Sequence, residues 1–313
     1  MGAYLSCIVT AKNRNDTKLK DLEYSLTRQT FRNFETIIVT EGNSETAKAI
    51  GLKRAKGEIV CILASDNYLN DPQFFEECLR PLDEDKSLIG SFPLRYWYYK
   101  DDNILNRYFA LFGVNDPIPL YLNKNDRASY YAEELCDYPI IFSYSNPDYF
   151  VVNIASVPTL GDNGFFIRKD ILMKADIEHY FHIDVCQDLF NLGYKTYAIV
   201  NTSIWHRTGG NIIKFFLKRL KYADKFSEGR RWKMVERKDL PRLCWFIIST
   251  LTLIYPFYLS VKGYRKIKDV AWFLHPLVCL ITLGVYGIWT IQKFLSSFAR
   301  SIVKKVYLVA LNQ

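Results

Sequence analysis

The chain has 313 residues, 49% of them hydrophobic, and a formal net charge of +8; that length suits one large globular domain with a further segment beyond it. Seven cysteines, odd in number and never spaced Cys-x-x-Cys, point to neither a disulfide framework nor a cysteine zinc site, and most are expected to be small buried residues in a reducing compartment. The basic run from Lys214 to Arg242 leads straight into an apolar stretch, which favours an anionic phospholipid surface; zinc-finger, helix-turn-helix and RNA-binding signatures are missing, so no nucleic-acid partner is expected.

In chain order, Tyr4–Thr10 is a short β-rich run with no charged segment before it, so no secretory signal is expected and the globular part should remain cytoplasmic. A polar turn, Lys12–Asp16, precedes a helical pattern around Leu19–Thr27, and Glu35–Val39 is a second buried strand. A helix over Glu45–Ala55 ends before Gly57, and Ile59–Leu63 forms a third strand. This order predicts βαβαβ with a parallel sheet, whose ligands bind beyond the carboxyl ends of the strands. The loops Lys12–Arg14, Glu41–Ser44 and Ser65–Asn67 should therefore converge on one crevice.

Residues 91–160 are rich in Tyr, Phe, Asn, Asp and Pro without a sustained period. Ordinary core accounts for many of these aromatics, and a ligand cleft is the sharper alternative, because ring-shaped ligands pack on aromatic faces. Two later stretches lack charges: Leu243–Val261, of 19 residues, and Val270–Ile291, of 22. Each is long enough to cross a hydrocarbon core, and each carries Trp or Tyr near its ends and an internal proline, Pro256 or Pro276. A membrane hairpin with both ends inside is expected, with Lys262, Arg265, Lys266 and Lys268 in the joining loop. A re-entrant pair is the alternative. The tail Gln292–Leu311 is expected as an amphipathic interfacial helix.

Asp66 ends the third strand, where a hard cation and phosphates would meet a parallel sheet, although an Asp there also commonly caps a turn. The run Cys7–Asn15, the segment Glu35–Ser44 and Ala55–Glu58 leading to Leu63–Asn67 together resemble the nucleotide-binding half of the family 2 glycosyltransferases, with the GT-A fold. The family's Asp-x-Asp motif falls on Ala64-Ser65-Asp66, so the usual metal ligand is present as Asp66 while the first acid is replaced by Ala64. The acidic pair after the second strand is Thr40-Glu41, with only Glu41 charged. Further matches are Gly161–Arg168, which contains Asp162 and Asn163, and Phe181–Val185 ahead of Leu189–Lys195.

The resemblance implies an α/β protein with a GT-A domain, Rossmann-like and mostly parallel in its sheet, over 1–235 (nucleotide-sugar half 1–90, acceptor half 91–235). Two hydrophobic membrane helices and an amphipathic tail would follow over 236–313. It implies sugar transfer from a UDP- or GDP-sugar donor to a lipid-linked or glycan acceptor at the cytoplasmic membrane face, in contact with membrane lipids. Mg²⁺ or Mn²⁺ would be held by Asp66 and His206, and Thr10, Lys12, Glu41, Ser65 and Asp66 would line the donor site. Asp162, Asn163, Arg231 and Trp232 fall on the acceptor side, the last two in Glu228-Gly229-Arg230-Arg231-Trp232, which is similar to the Gln-x-x-Arg-Trp motif of processive members. An interfacial anchor is the competing role for that pair. Asp184 is favoured as catalytic base with His182 assisting; His182 is the alternative base, since an unperturbed imidazole titrates near neutrality. Two other classes stay open. A non-catalytic membrane scaffold that binds nucleotide sugars is motivated by Ala64 and Thr40, and a nucleotidyltransferase would need a Gly-rich loop that Lys12–Asn15 lacks.

Overall fold

The computed structural model describes residues 3–132, 140–145, 147–208, 210–213, 215–217, 219 and 230–311. The first third follows the expected order: β1 (Leu5–Thr10), α1 (Thr17–Thr27), β2 (Phe34–Val39), α2 (Ser44–Arg54) and β3 (Ile59–Ala64). Asp16 and Asn43 start the two helices by accepting backbone N–H groups of the first turn. Strand β1 pairs in parallel with both neighbours, Thr10 facing Val39 on one side and Ala64 on the other. The three strands thus end flush, and the loops beyond them share one edge.

The remaining strands are β4 (Asn67–Tyr68), β5 (Gly90–Tyr96), β6 (Ile140–Ser145), β7 (Tyr149–Ile154), β8 (Phe165–Arg168) and β9 (Thr196–His206). The sheet order is β2-β1-β3-β8-β5-β9-β7-β6, with β4 against the end of β9. Expected as mostly parallel, the sheet is mixed. Strand β8 runs antiparallel between β3 and β5, and β7 runs antiparallel to both β6 and β9. The parallel rule holds where helical crossovers separate strands, but the short β6–β7 connection allows only an antiparallel return. One core lies on each sheet face, centred on Ile8, Val60 and Phe92 on one side and on Cys7, Leu63 and Phe166 on the other. Five of the described cysteines are buried and Cys244 is exposed; Cys136 lies outside the described residues.

A third core joins the C-terminal helices to α4 (Ile104–Phe112) and α5 (Pro117–Leu122). Tyr108, Phe109, Phe112, Tyr121 and Tyr131 pack there against Phe246, Leu259, Trp272 and Val278, so much of the aromatic segment is docking surface, not ligand cleft. His275 is buried in that seam, stacked on Phe112 at 4.1 Å and bonded to the Tyr108 hydroxyl at 3.0 Å.

The two-span hairpin is corrected. The stretch 243–261 is not one helix: Leu240–Thr252 and Ile254–Lys266 meet at an angle of 84°. Leu253 takes a left-handed conformation at the break, and Pro256, which has no N–H to donate backwards, sits in the first turn of the new helix. The basic residues assigned to a joining loop belong instead to this second helix and its end, and Lys266 reaches the Ala132 carbonyl. Among the described residues one helix is long and apolar enough to cross a membrane, Val270–Ser296. The tail is not a separate element, because one helix runs from His275 to Leu311. Large apolar side chains stay exposed along these helices, among them Ile248, Leu251, Ile254, Phe257, Ile291 and Phe294.

Gly263 seats the second helix: a Cβ there would stand 2.4 Å from the Trp272 indole. Gly263→Leu is expected to lose about 1–3 kcal/mol of stability through overpacking, read as a lowered melting temperature of detergent-purified protein; an unaltered melt would show that this seam does not hold the helices.

Candidate active site

The loop after β3 turns at once into β4, and β4 pairs with the end of β9, placing Asn67 opposite His206. Asp66 and His206, far apart in sequence, are thereby brought together, with His206 Nε2 3.6 Å from Asp66 Oδ1. Asp66 Oδ1 and His206 Nδ1 are buried and accept or donate no hydrogen bond among the described residues. A buried carboxylate oxygen without a partner beside an imidazole nitrogen is a donor pair suited to one divalent cation, whose ligand bonds run about 2.0–2.2 Å. No group of three or more His, Cys, Asp or Glu side chains assembles among the described residues, so this pair would supply only part of a cation's coordination shell.

Both side chains line a cavity of about 280 Å³ shared with Asp126, Asp162, Asn163 and His182. Asn67 braces its floor: the buried amide accepts from Ala64 N at 2.9 Å and donates to Asn163 Oδ1 at 3.0 Å. Asn163, in a left-handed conformation, passes the chain on to the Tyr96 hydroxyl, which donates to Asp126. Burial pushes the Asp126 carboxyl above the ordinary carboxylate range, against the opposing charge of Arg127. Gly161 lets the loop cross the start of α7 (His182–Asn191), since a Cβ there would stand 2.5 Å from the His182 carbonyl oxygen.

Behind His182 lies a charged cluster. Lys48, fully buried on α2, pairs with Asp162 at 2.8 Å and with Glu45 at 3.4 Å. Burial alone would push the Asp162 carboxyl up, but the Lys48 charge outweighs it and holds the group below its ordinary value. Burial likewise works against the Lys48 charge, and Asp162 followed by Glu45 reverses that, leaving the ammonium above its ordinary value.

The residues expected from the sequence divide by location. Asp66, His206, Asp162, Asn163, His182 and Trp232 line the one cavity. Thr10 and Ser65 sit at the ends of β1 and β3, Ser65 reaching Asp16 at 3.5 Å. Lys12 is exposed, and exposed Glu41 pairs with Arg54 at 3.2 Å. Asp184 does not line the cavity. It is 1% exposed, accepts Trp232 N–H at 3.0 Å and pairs with Arg230 at 3.7 Å. Arg231 also faces elsewhere, held by Asp188 at 2.8 Å. Glu228 and Gly229 lie outside the described residues, as do Lys214, Lys218, Lys221 and Lys225 of the basic run. Arg219 of that run turns inward to the cavity wall and Asp116. Sequence reasoning missed Glu45, Lys48 and Asp126; a Glu–Lys pair at i,i+3 looks like a solvated helix face, whereas the polar run Asn123–Arg127 inside an aromatic segment was a usable signal.

The Lys48–Asp162 pair gives a pH-resolved prediction. Its carboxylate is depressed, so that contribution exists above the ordinary Asp range and fades as pH falls through the folded value. Its ammonium is raised, so that contribution exists below the ordinary Lys range and fades as pH rises through the folded value. The pair is therefore intact between about pH 4 and 10. Lys48→Met is expected to cost about 3 kcal/mol at pH 7 by stranding the carboxylates, measured by denaturant unfolding, with a smaller loss below about pH 4. A pH-independent loss would contradict the pairing.

The chain matches no family model and no curated relative. Among solved structures it is similar to a mannosyltransferase from Pyrobaculum calidifontis in complex with GDP-Man and Mn²⁺, at 11% identity over 91% of this chain and 86% of that one, with a TM-score of 0.49. It is also similar to glucosyl-3-phosphoglycerate synthase from Mycobacterium tuberculosis in complex with Mn²⁺ and UDP-Glc, at 14% identity over 72% of this chain and 79% of that one, with a TM-score of 0.43. A mycobacterial protein is similar at 14% identity over 72% of this chain and 74% of that one, with a TM-score of 0.44.

Proposed function

We propose that the chain is a metal-dependent, inverting glycosyltransferase that moves a sugar from a UDP- or GDP-sugar to a hydroxyl of a lipid-linked or glycan acceptor at the cytoplasmic membrane face. The observation that carries this reading is the meeting of Asp66 and His206 in a cavity that His182 also lines. When bound by Asp66 and His206, Mg²⁺ or Mn²⁺ supplies positive charge to the diphosphate leaving group. Thr10, Lys12, Ser65 and Glu41 stand at the flush strand ends where a nucleoside would lie. Asp162 and Asn163, on the far wall, with buried Trp232 beside them, would orient the acceptor.

In the transfer step the acceptor oxygen bonds to the anomeric carbon as the bond from that carbon to the diphosphate oxygen breaks. The proton leaves the acceptor hydroxyl for His182. We assign this role to His182 instead of Asp184, because His182 lines the Asp66–His206 cavity, whereas Asp184 borders a different one, with Oδ1 accepting Trp232 N–H and Oδ2 3.7 Å from Arg230. Asp184 would then hold the Arg230–Trp232 segment against the cavity. The exposed apolar side chains of the C-terminal helices, next to Arg242, Lys262 and Lys268, supply the surface by which the enzyme would sit on lipid.

Detergent-purified protein, given UDP- and GDP-sugars with Mn²⁺ and a membrane lipid extract, should release nucleotide from one donor. Asp66→Ala should lower that rate by at least about 100-fold, and His182→Ala should lower kcat by about 100- to 10,000-fold. Full activity in Asp66→Ala would overturn the metal reading. Unchanged kcat in His182→Ala would point to a phosphate acceptor, which brings no proton. Donor binding without turnover, together with stimulation of another transferase, would favour the scaffold motivated by Ala64; failure to bind any donor would overturn both readings.

A further inference from the structure

His182 does not stand alone at the cavity wall. Its Nδ1 lies 3.4 Å from Glu45 Oε1, and its backbone N–H donates to Glu45 Oε2 at 3.2 Å. One carboxylate therefore meets both the ring and the peptide of the same residue across the α2–α7 junction. His182 Nδ1 is buried and makes no hydrogen bond among the described residues, so Glu45 is the acceptor within its reach. Glu45 is itself only 8% exposed and is fixed from behind by the buried Lys48 ammonium.

The charges of this cluster add a second, independent indication. Lys48 alone would balance Asp162, yet Glu45 places a second carboxylate on the same ammonium. A purely structural pair has no need of that carboxylate, and burying it carries a desolvation cost. Of Lys48, Glu45 and Asp162 the carboxylates outnumber the ammonium, and an imidazole that has taken a proton 3.4 Å from Glu45 would be favoured there.

We propose that Glu45 is the positioning residue of the base: it accepts Nδ1–H of neutral His182, which leaves Nε2 bare to receive the acceptor proton, and it faces the imidazolium that forms. Lys48 and Asp162 hold Glu45 in place. The transfer step is unchanged in its balance, since the proton leaving the acceptor oxygen ends on His182 Nε2 while Nδ1 keeps its own. This inference rests on the transferase reading for its catalytic consequence, but the Glu45–His182 contact can be tested without turnover.

The chain has four histidines, so ¹⁵N-histidine labelling of the full-length protein in detergent yields a spectrum simple enough to assign with His182→Ala. The neutral His182 ring should be the Nδ1–H tautomer in the wild type, and Glu45→Gln should shift it toward a mixture. With an active donor–acceptor pair, Glu45→Gln should lower kcat about 10- to 100-fold with donor KM within about twofold, and Glu45→Asp should restore part of kcat. An Nε2–H tautomer in the wild type would overturn the proposal, as would an unchanged tautomer and kcat in a folded Glu45→Gln protein. Should Glu45→Gln not fold, the wild-type tautomer alone decides. A wild type that turns over no donor yet shows the Nδ1–H tautomer would sink the transferase reading and leave the contact standing.

Discussion

The candidate site depends on a two-residue ladder. Asn67 and Tyr68 pair with His206 and Trp205, and Arg207 N–H closes on the Asp66 carbonyl at 2.8 Å. Everything the site can do follows from that juncture. It turns the residues just past a parallel βαβαβ unit toward the end of a distant strand, and it sets Asp66 Oδ1, which has no hydrogen bond among the described residues, 3.6 Å from His206 Nε2. The buried amide of Asn67 then ties the same turn to Asn163 and, through it, to the loop that brings Asp162 and His182 to the opposite wall. Buried amides satisfied on both ends hold such geometry with little freedom to relax.

The first third of the fold was legible because its signals are local: alternating apolar runs, N-caps at Asp16 and Asn43, and Gly57 after the second helix. The strand ends could be placed within a residue or two. The sheet beyond β3 was not legible, since antiparallel insertion of β8 is decided by tertiary pairing and β8 has only four residues to announce itself. For the candidate site, motif and order pointed to Asp66, His182 and His206, which the fold brings to one cavity, but gave no ground for telling His182 from Asp184. Asp184 and His182 lie two positions apart on one helix and face different surroundings, and only the packing of Arg230 and Trp232 separates them. Lys48 was hidden for the opposite reason. Lysine is ordinarily exposed, and its burial here is made possible by Asp162 and Glu45, neither of which a helical pattern reveals.

The C-terminal region shows how an apolar run can mislead when read by length alone. Leu243–Val261 has the composition of a span, yet the chain turns by 84° inside it, and Pro256 was the residue that marked the turn. The helices are also not an appendage. They share a core with α4 and α5, with His275, Phe112 and Tyr108 at its centre, so the sheet-bearing part and the apolar surface are packed together at this seam. Tyr286, within the long helix, donates to Asp116, and Asp116 lines the cavity.

The central claim is that Asp66 and His206 hold one divalent cation beside a nucleoside diphosphate. Pulsed electron paramagnetic resonance of Mn²⁺ with UDP or GDP, on protein labelled with ¹⁵N-histidine, reads this directly. The account predicts coupling of Mn²⁺ to one histidine nitrogen that disappears in His206→Ala. A Mn²⁺–nucleotide complex on the wild-type protein with no histidine coupling would contradict it.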